Sequence, residues 1–156
     1  MGYIDKLELE VNASGEDPAF AGGATDEVVG AFEKALGVKF PDSYIEFLKK
    51  YGALSFAGDT YYGITKSGID AVAVPSVAFA TKSARADGDA DDSMIVVKAS
   101  GYGPIYSIDT SIIGSSGEPV IVETELSFKR TKEKNVIYQD FQEFFSDMIR
   151  QAIKEL

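Results

Sequence analysis

Six consecutive residues, Asp87-Gly88-Asp89-Ala90-Asp91-Asp92, place four carboxylates close together. Carboxylates at alternate positions can converge on a hard cation, and the spacing superficially follows a calcium loop. The pattern breaks at its two most demanding positions: Asp92 stands where the loop needs Gly, and Lys98 where it needs a bidentate Glu. The segment therefore reads as a solvated acidic loop, with the docking of a charged partner as the alternative, and no metal is expected. Asp109 is the other carboxylate that could act on a substrate. Carboxylate catalysis needs a second positioned group, and Glu123 and Glu125 follow at no diagnostic spacing. A strand-end aspartate bonded to turn amides is the expectation.

The chain has no His and no Cys among its 156 residues. That excludes disulfides, thiolate nucleophiles, zinc sites of the usual ligand types and histidine general bases. An enzyme would have to work with Asp, Glu, Lys, Tyr, Ser or Thr. Gly101-Tyr102-Gly103 lacks the third glycine of a dinucleotide fingerprint and is followed by Pro104, so a hairpin turn is expected rather than a phosphate cradle. Tyr61, Tyr62, Tyr102 and Tyr106 fall on predicted strands or their connections. Such rings give large contact area at low entropic cost and suit a protein interface, although about half of them should be ordinary core or rim residues. The expected partner-binding set is Tyr61, Tyr62, Asp87, Asp89, Asp91, Asp92 and Tyr102, with no catalytic residue, metal or cofactor.

Charge narrows the partners. Lys and Arg total 15 against 25 for Asp and Glu, a net charge of -10. Such a field repels phosphate, so nucleic acid and anionic membranes are poor partners, whereas a basic protein is attracted. The plainer reading is that acidity keeps the chain soluble. Lys129, Arg130, Lys132 and Lys134 form one basic cluster, read as a solvated loop or as local charge balancing rather than as a nucleic-acid site. No apolar run reaches bilayer length and no basic-then-apolar leader follows Met1, so a soluble, cytoplasmic protein is expected.

Several elements must position these groups. Tyr3, Ile4, Leu7 and Val11 suit a short amphipathic helix, although Leu7, Leu9 and Val11 also alternate as a strand would. Thr25 can cap a helix carrying Asp26 and Glu27 in its first turn and burying Val28, Val29, Phe32, Ala35 and Leu36. Gly37 ends it, Pro41 cannot continue it, and Asp42 can cap the next helix. In that helix Tyr44, Phe47, Leu48 and Tyr51 fall at i, i+3, i+4 and i+7, with Lys49, Lys50 and Gly52 closing it. Leu54 to Phe56 and Tyr61 to Thr65 read as two strands or one interrupted strand. Pro75 suits the first turn of a helix over about 76–86, with a strand left open. Met94 to Val97 predicts a central strand covered on both faces, Ile105 to Asp109 returns antiparallel, and Val120 to Val122 gives a third strand. Asp140 can cap a final helix whose core positions run Phe141, Phe144, Phe145, Met148, Ile149, Ala152, Ile153 and Leu156. The expected fold is α+β: a single domain over 1–156, with an antiparallel or mixed sheet packed by N-terminal helices and a long C-terminal helix.

Leu36, Gly37, Phe40, Pro41, Tyr44, Phe47, Leu48 and Gly52 carry a further signal. A helix ending in Leu-Gly, an apolar residue before Pro, and a helix with Tyr and then Phe-Leu closed by Gly resemble the start of the SUKH superfamily. Tyr106-Ser107-Ile108-Asp109-Thr110 and Pro119-Val120-Ile121-Val122 follow in the order such domains use. The family includes fungal Smi/Knr-type regulatory domains and many bacterial immunity proteins. The resemblance implies a bacterial immunity protein that binds and neutralises a cognate polymorphic or contact-dependent toxin, of which a basic nuclease-like effector fits the charge. A regulatory scaffold of the fungal type is the alternative, followed by a carboxylate enzyme acting on a small molecule. The motif is structural and implies no contact residue.

Overall fold

The computed structural model describes residues 2–101 and 103–156. In chain order it runs α1 (Tyr3–Ser14), β1 (Ala19–Phe20), α2 (Asp26–Leu36), α3 (Asp42–Lys50), β2 (Leu54–Phe56) and β3 (Asp59–Tyr61). A 3-10 turn at Gly68–Asp70 leads to α4 (Val77–Asp87), then β4 (Met94–Ala99), β5 (Ile105–Ile113), β6 (Pro119–Thr124), α5 (Phe128–Thr131), β7 (Asn135–Tyr138) and α6 (Phe141–Lys154). The strands form two antiparallel sheets, ordered β1-β2-β3 and β4-β5-β6-β7, so the class is α+β.

The four-stranded sheet separates two apolar layers, because residues alternate between its faces. Ile95, Val97, Ile108 and Ile121 pack with α1, α2, α3 and α6, and this larger layer holds Phe32, Tyr44, Phe47, Phe141, Phe144 and Phe145. Met94, Val96, Val120 and Val122 face Ala84 of α4 and Phe128 of α5. The α6 stripe is what joins helices to sheet: the Phe145 ring lies edge-on to Phe47 at 5.1 Å and to Tyr61 at 5.0 Å.

Local chemistry explains the joints. Thr25 accepts from Val28 N at 3.2 Å, Ser76 from Phe79 N at 3.3 Å and Asp140 from Glu143 N at 2.8 Å, satisfying donors that the first turns leave free. Gly52 has φ +73, and a Cβ there would lie 2.3 Å from the Gly22 carbonyl; one on Gly63 would lie 1.7 Å from the Gly52 carbonyl. Only glycines let the end of α3 and the segment after β3 approach this closely.

Several expectations are corrected. Asp42 does not cap α3: Pro41 takes that position, and Glu118, from the loop before β6, accepts from Ser43 N at 3.2 Å and Ser43 Oγ at 2.5 Å. Pro41 holds an extended φ/ψ pair, so Asp42 is already helical and its carboxylate cannot turn back on the amides. Ala35 and Leu156 are exposed rather than buried. Pro75 precedes the Ser76 cap instead of entering the first turn. Tyr62 to Thr65 lie outside a strand apart from a parallel bridge of Gly63 to Ser76. Met94 to Val97 belong to a strand at the end of its sheet, not the middle. It is covered nonetheless, since Val96 N donates to Thr81 Oγ1 at 3.0 Å and Val97 O accepts from Tyr62 N at 2.8 Å. The segment after Leu126 is an additional short helix and strand.

Candidate functional site

The densest chemistry lies at the start of β4, where Asp91, Ser93, Asp109, Ser111 and Lys134 meet. Asp109 opposes Met94 and Val120 in the sheet, which turns its side chain into the smaller apolar layer, and it is 0 % exposed. Its Oδ1 accepts from Ser93 Oγ at 3.0 Å, Ser111 N at 2.9 Å and Ser111 Oγ at 2.6 Å. Lys134, just before β7, brings its ammonium 2.6 Å from Asp109 Oδ2 and 2.7 Å from Asp91 Oδ2. Asp91 Oδ1 accepts from Ser93 N and Oγ in turn. Two carboxylates thus share one cation across three segments far apart in sequence.

Their titration follows from these contacts. Burial pushes the Asp109 and Asp91 carboxyls up, but hydrogen bonds from Lys134, Ser111 and Ser93 outweigh it and hold both below the ordinary 3.8. Burial pulls the Lys134 ammonium down, and the two aspartates more than reverse that, leaving it above 10.5. A general base needs a carboxyl raised towards neutrality, and a nucleophilic lysine needs its ammonium weakened. Both shifts run the other way. The cluster is an ionic clamp that ties β7 to β4 and β5.

The acidic loop takes part in the same clamp. Asp89 faces the Lys129 ammonium at 3.7 Å and Asp91 faces Lys134, so local charge balancing accounts for both lysines. Asp87, the last residue of α4, and Asp92 are exposed and have no ion pair among the described residues. Arg85 bolts the loop down, donating to Leu36 O at 2.8 Å, Asp92 O at 3.0 Å and Met94 O at 3.1 Å. Among the described residues no group of three or more Asp or Glu could hold a metal.

The tyrosines sit elsewhere. Tyr61 is 1 % exposed and packs on Phe144 and Phe145, so its ring belongs to the core; Tyr62 is half-buried beside Val97. Tyr62 packs against the smaller apolar layer that also holds Ala90 of the acidic loop. Tyr102 lies outside the described residues. Ser100 N donates to Pro104 O at 3.1 Å, which closes the connection from β4 to β5 as a hairpin. Tyr62 borders an open cleft of about 430 Å³ with Asp59, Lys98 and Val74. Lys98, nearly buried, faces Asp59 Oδ1 at 3.4 Å and lies 5.4 Å from the Tyr106 ring centre. Glu118 and Lys134 act on groups tens of residues away, and Ser93 and Ser111 gain their roles only where folding brings Asp91, Asp109 and Lys134 together, so no spacing in the sequence marks the cluster.

With this geometry in place, comparison with known families is decisive. A family model described as SMI1-KNR4 cell-wall (SUKH_6) matches residues 26–145. The chain belongs to the SUKH superfamily. Members of this family are in general binding domains that act through protein contacts. In this SUKH domain the shared motif is structural: Phe40, Tyr44, Phe47 and Leu48 are all buried, and Tyr44 OH donates to Tyr62 O at 2.7 Å. That bond links α3 to the segment after β3, which is why a tyrosine rather than a phenylalanine stands there. Among the described residues no helix is long and apolar enough to cross a membrane.

Proposed function

We propose that this SUKH domain is an immunity protein, which neutralises a cognate toxin by covering it. One observation carries the reading: on a scaffold whose family works through protein contacts, the carboxylate excess of a -10 chain stands at the surface, while the buried carboxylate, Asp109, is saturated. Asp87 and Asp92 belong to that free acidic surface. Complementary charge raises association rates towards ~10⁸ per molar per second at low salt, a useful property where a toxin must be caught before it acts. A basic nuclease-like effector is the partner class that such a surface fits. One domain, present in a soluble cytoplasmic protein, suffices for this role.

The test is capture. The protein is mixed with each toxin domain encoded in the same genome, and binding and toxin activity are followed over a salt series. Binding of one toxin with loss of its activity, weakening as salt rises, supports the reading. If none binds or is neutralised, the regulatory scaffold of the Smi/Knr type becomes the better account.

A further inference from the structure

Lys98 is nearly buried, at 7 % exposed, yet its ammonium is incompletely partnered. The residue stands opposite Tyr106 in the β4–β5 ladder, and the ammonium lies 5.4 Å from the centre of that ring. Asp59 Oδ1 is 3.4 Å away, and among the described residues no acceptor completes an aligned hydrogen bond to the ammonium. Lys134, by contrast, sits 2.6 and 2.7 Å from its two carboxylates. A buried charge short of hydrogen bonds is costly, and a ligand that supplies the acceptor recovers the shortfall.

The pair is open to a ligand. Lys98 and Asp59 both line the cleft of about 430 Å³ beside β3 and β4, a size that small-molecule sites commonly have. The hydroxyls of Ser55, Thr60 and Ser100 belong to the same lining, and Ser100 Oγ is buried without a partner among the described residues. Tyr62, half-buried, and Val74, 52 % exposed, add apolar surface. The cleft thus combines a donor head, an acceptor head, hydroxyls and an aromatic ring.

Chemistry selects the occupant. An anion would meet Asp59 and the field of a -10 chain, and a cation would meet Lys98. A neutral ligand with an acceptor and a donor side by side satisfies both heads at once. A trans peptide unit does not, because its N–H and C=O point to opposite sides. A vicinal diol does: one hydroxyl accepts from Lys98 while its neighbour donates to Asp59. We propose that this cleft binds a neutral sugar through a vicinal diol held between Lys98 and Asp59, with the C–H face of the sugar ring against Tyr62. The proposal is independent of the toxin reading, since it uses neither Asp87 nor Asp92.

Magnetic resonance of the nitrogen-15-labelled full chain tests it. D-glucose, D-galactose, D-mannose and N-acetyl-D-glucosamine are each added to about 50 mM, with L-glutamine and sodium phosphate as controls. At least one sugar should shift the backbone amides of Asp59, Tyr62 and Lys98 saturably, with a Kd of about 1–10 mM, as expected of a small polar ligand in an open cleft. D59A and K98M, which each remove one head of the pair, should weaken that sugar at least about tenfold while leaving amides of α1 and α6 in place. The wild-type titration needs no variant, so it decides the matter even where K98M fails to fold. No sugar shifting these amides, tighter binding of glutamine or phosphate than of any sugar, or a folded D59A that binds the sugar as the wild type does would each overturn the proposal.

Discussion

Replacing Lys134 with Met removes the cation that Asp91 and Asp109 share while keeping most of the side chain's bulk. Asp109 has no access to water in the fold, and Ser93 and Ser111 donate only to its Oδ1, so Oδ2 would be left with buried negative charge and no counterion. Breaking a buried pair by deleting one partner costs about 3–5 kcal/mol. The three bonds that remain on Oδ1 place the expected loss near the lower figure, about 3 kcal/mol at neutral pH. With a urea slope of about 2 kcal/mol per molar for a chain of this size, the unfolding midpoint should fall by about 1.5 M.

The sign with pH follows from the directions of the shifts. Depressed aspartate pKa values mean stabilisation that is present above the unfolded value of 3.8 and lost as pH falls through the folded values. The raised Lys134 pKa means stabilisation complete below 10.5 and lost as pH rises through the folded value. Between roughly pH 5 and 9 the wild-type contribution should therefore be flat. In K134M the Asp109 carboxyl loses its largest hydrogen-bonded counterweight to burial, so its pKa rises and protonation relieves the strain as pH falls. The gap between K134M and wild type should accordingly narrow from pH 7 to pH 4. Adding D109N should recover at least half of the loss, because an amide carries no charge to strand. A midpoint change under about 0.3 M for K134M, or a D109N change that adds to the loss, would refute the ionic-clamp reasoning.

Other expectations concern the joints. E118A should cost about 1 kcal/mol by freeing Ser43 N at the start of α3, whereas D42A should cost under about 0.5 kcal/mol, both read by urea unfolding. F47A, at the meeting point of α3 and α6, should cost about 3–5 kcal/mol and leave a more mobile core by amide exchange. G63A should cost about 3 kcal/mol or fail to fold, since a Cβ there meets the backbone of Gly52 rather than a flexible side chain. In a toxin complex, D87N and D92N should slow association at low salt and leave unfolding midpoints unchanged.

Local chemistry in the sequence was enough to place α2, α3 and α6, because caps, glycine stops and the 3.6-residue period act within a few residues of one another. The motif from Leu36 to Gly52 could be recognised for the same reason, and with it the superfamily. The antiparallel return from Met94 through Val122 was legible from apolar runs and turn residues. β7 was not, because a four-residue strand among charged residues has no pattern of its own and is held by pairing with β6.

What tertiary structure alone decided is which charges are free. Sequence showed an acidic loop and a basic cluster some forty residues apart; folding lays Lys129 beside Asp89 and Lys134 beside Asp91 and Asp109, so much of each cancels the other. It likewise sent Tyr61, the last residue of β3, into the core against α6 while leaving Tyr62, just outside the strand, at a cleft. Composition sets how much charge a chain carries, but Coulomb interactions depend on distance and on burial, and both exist only once the chain is folded.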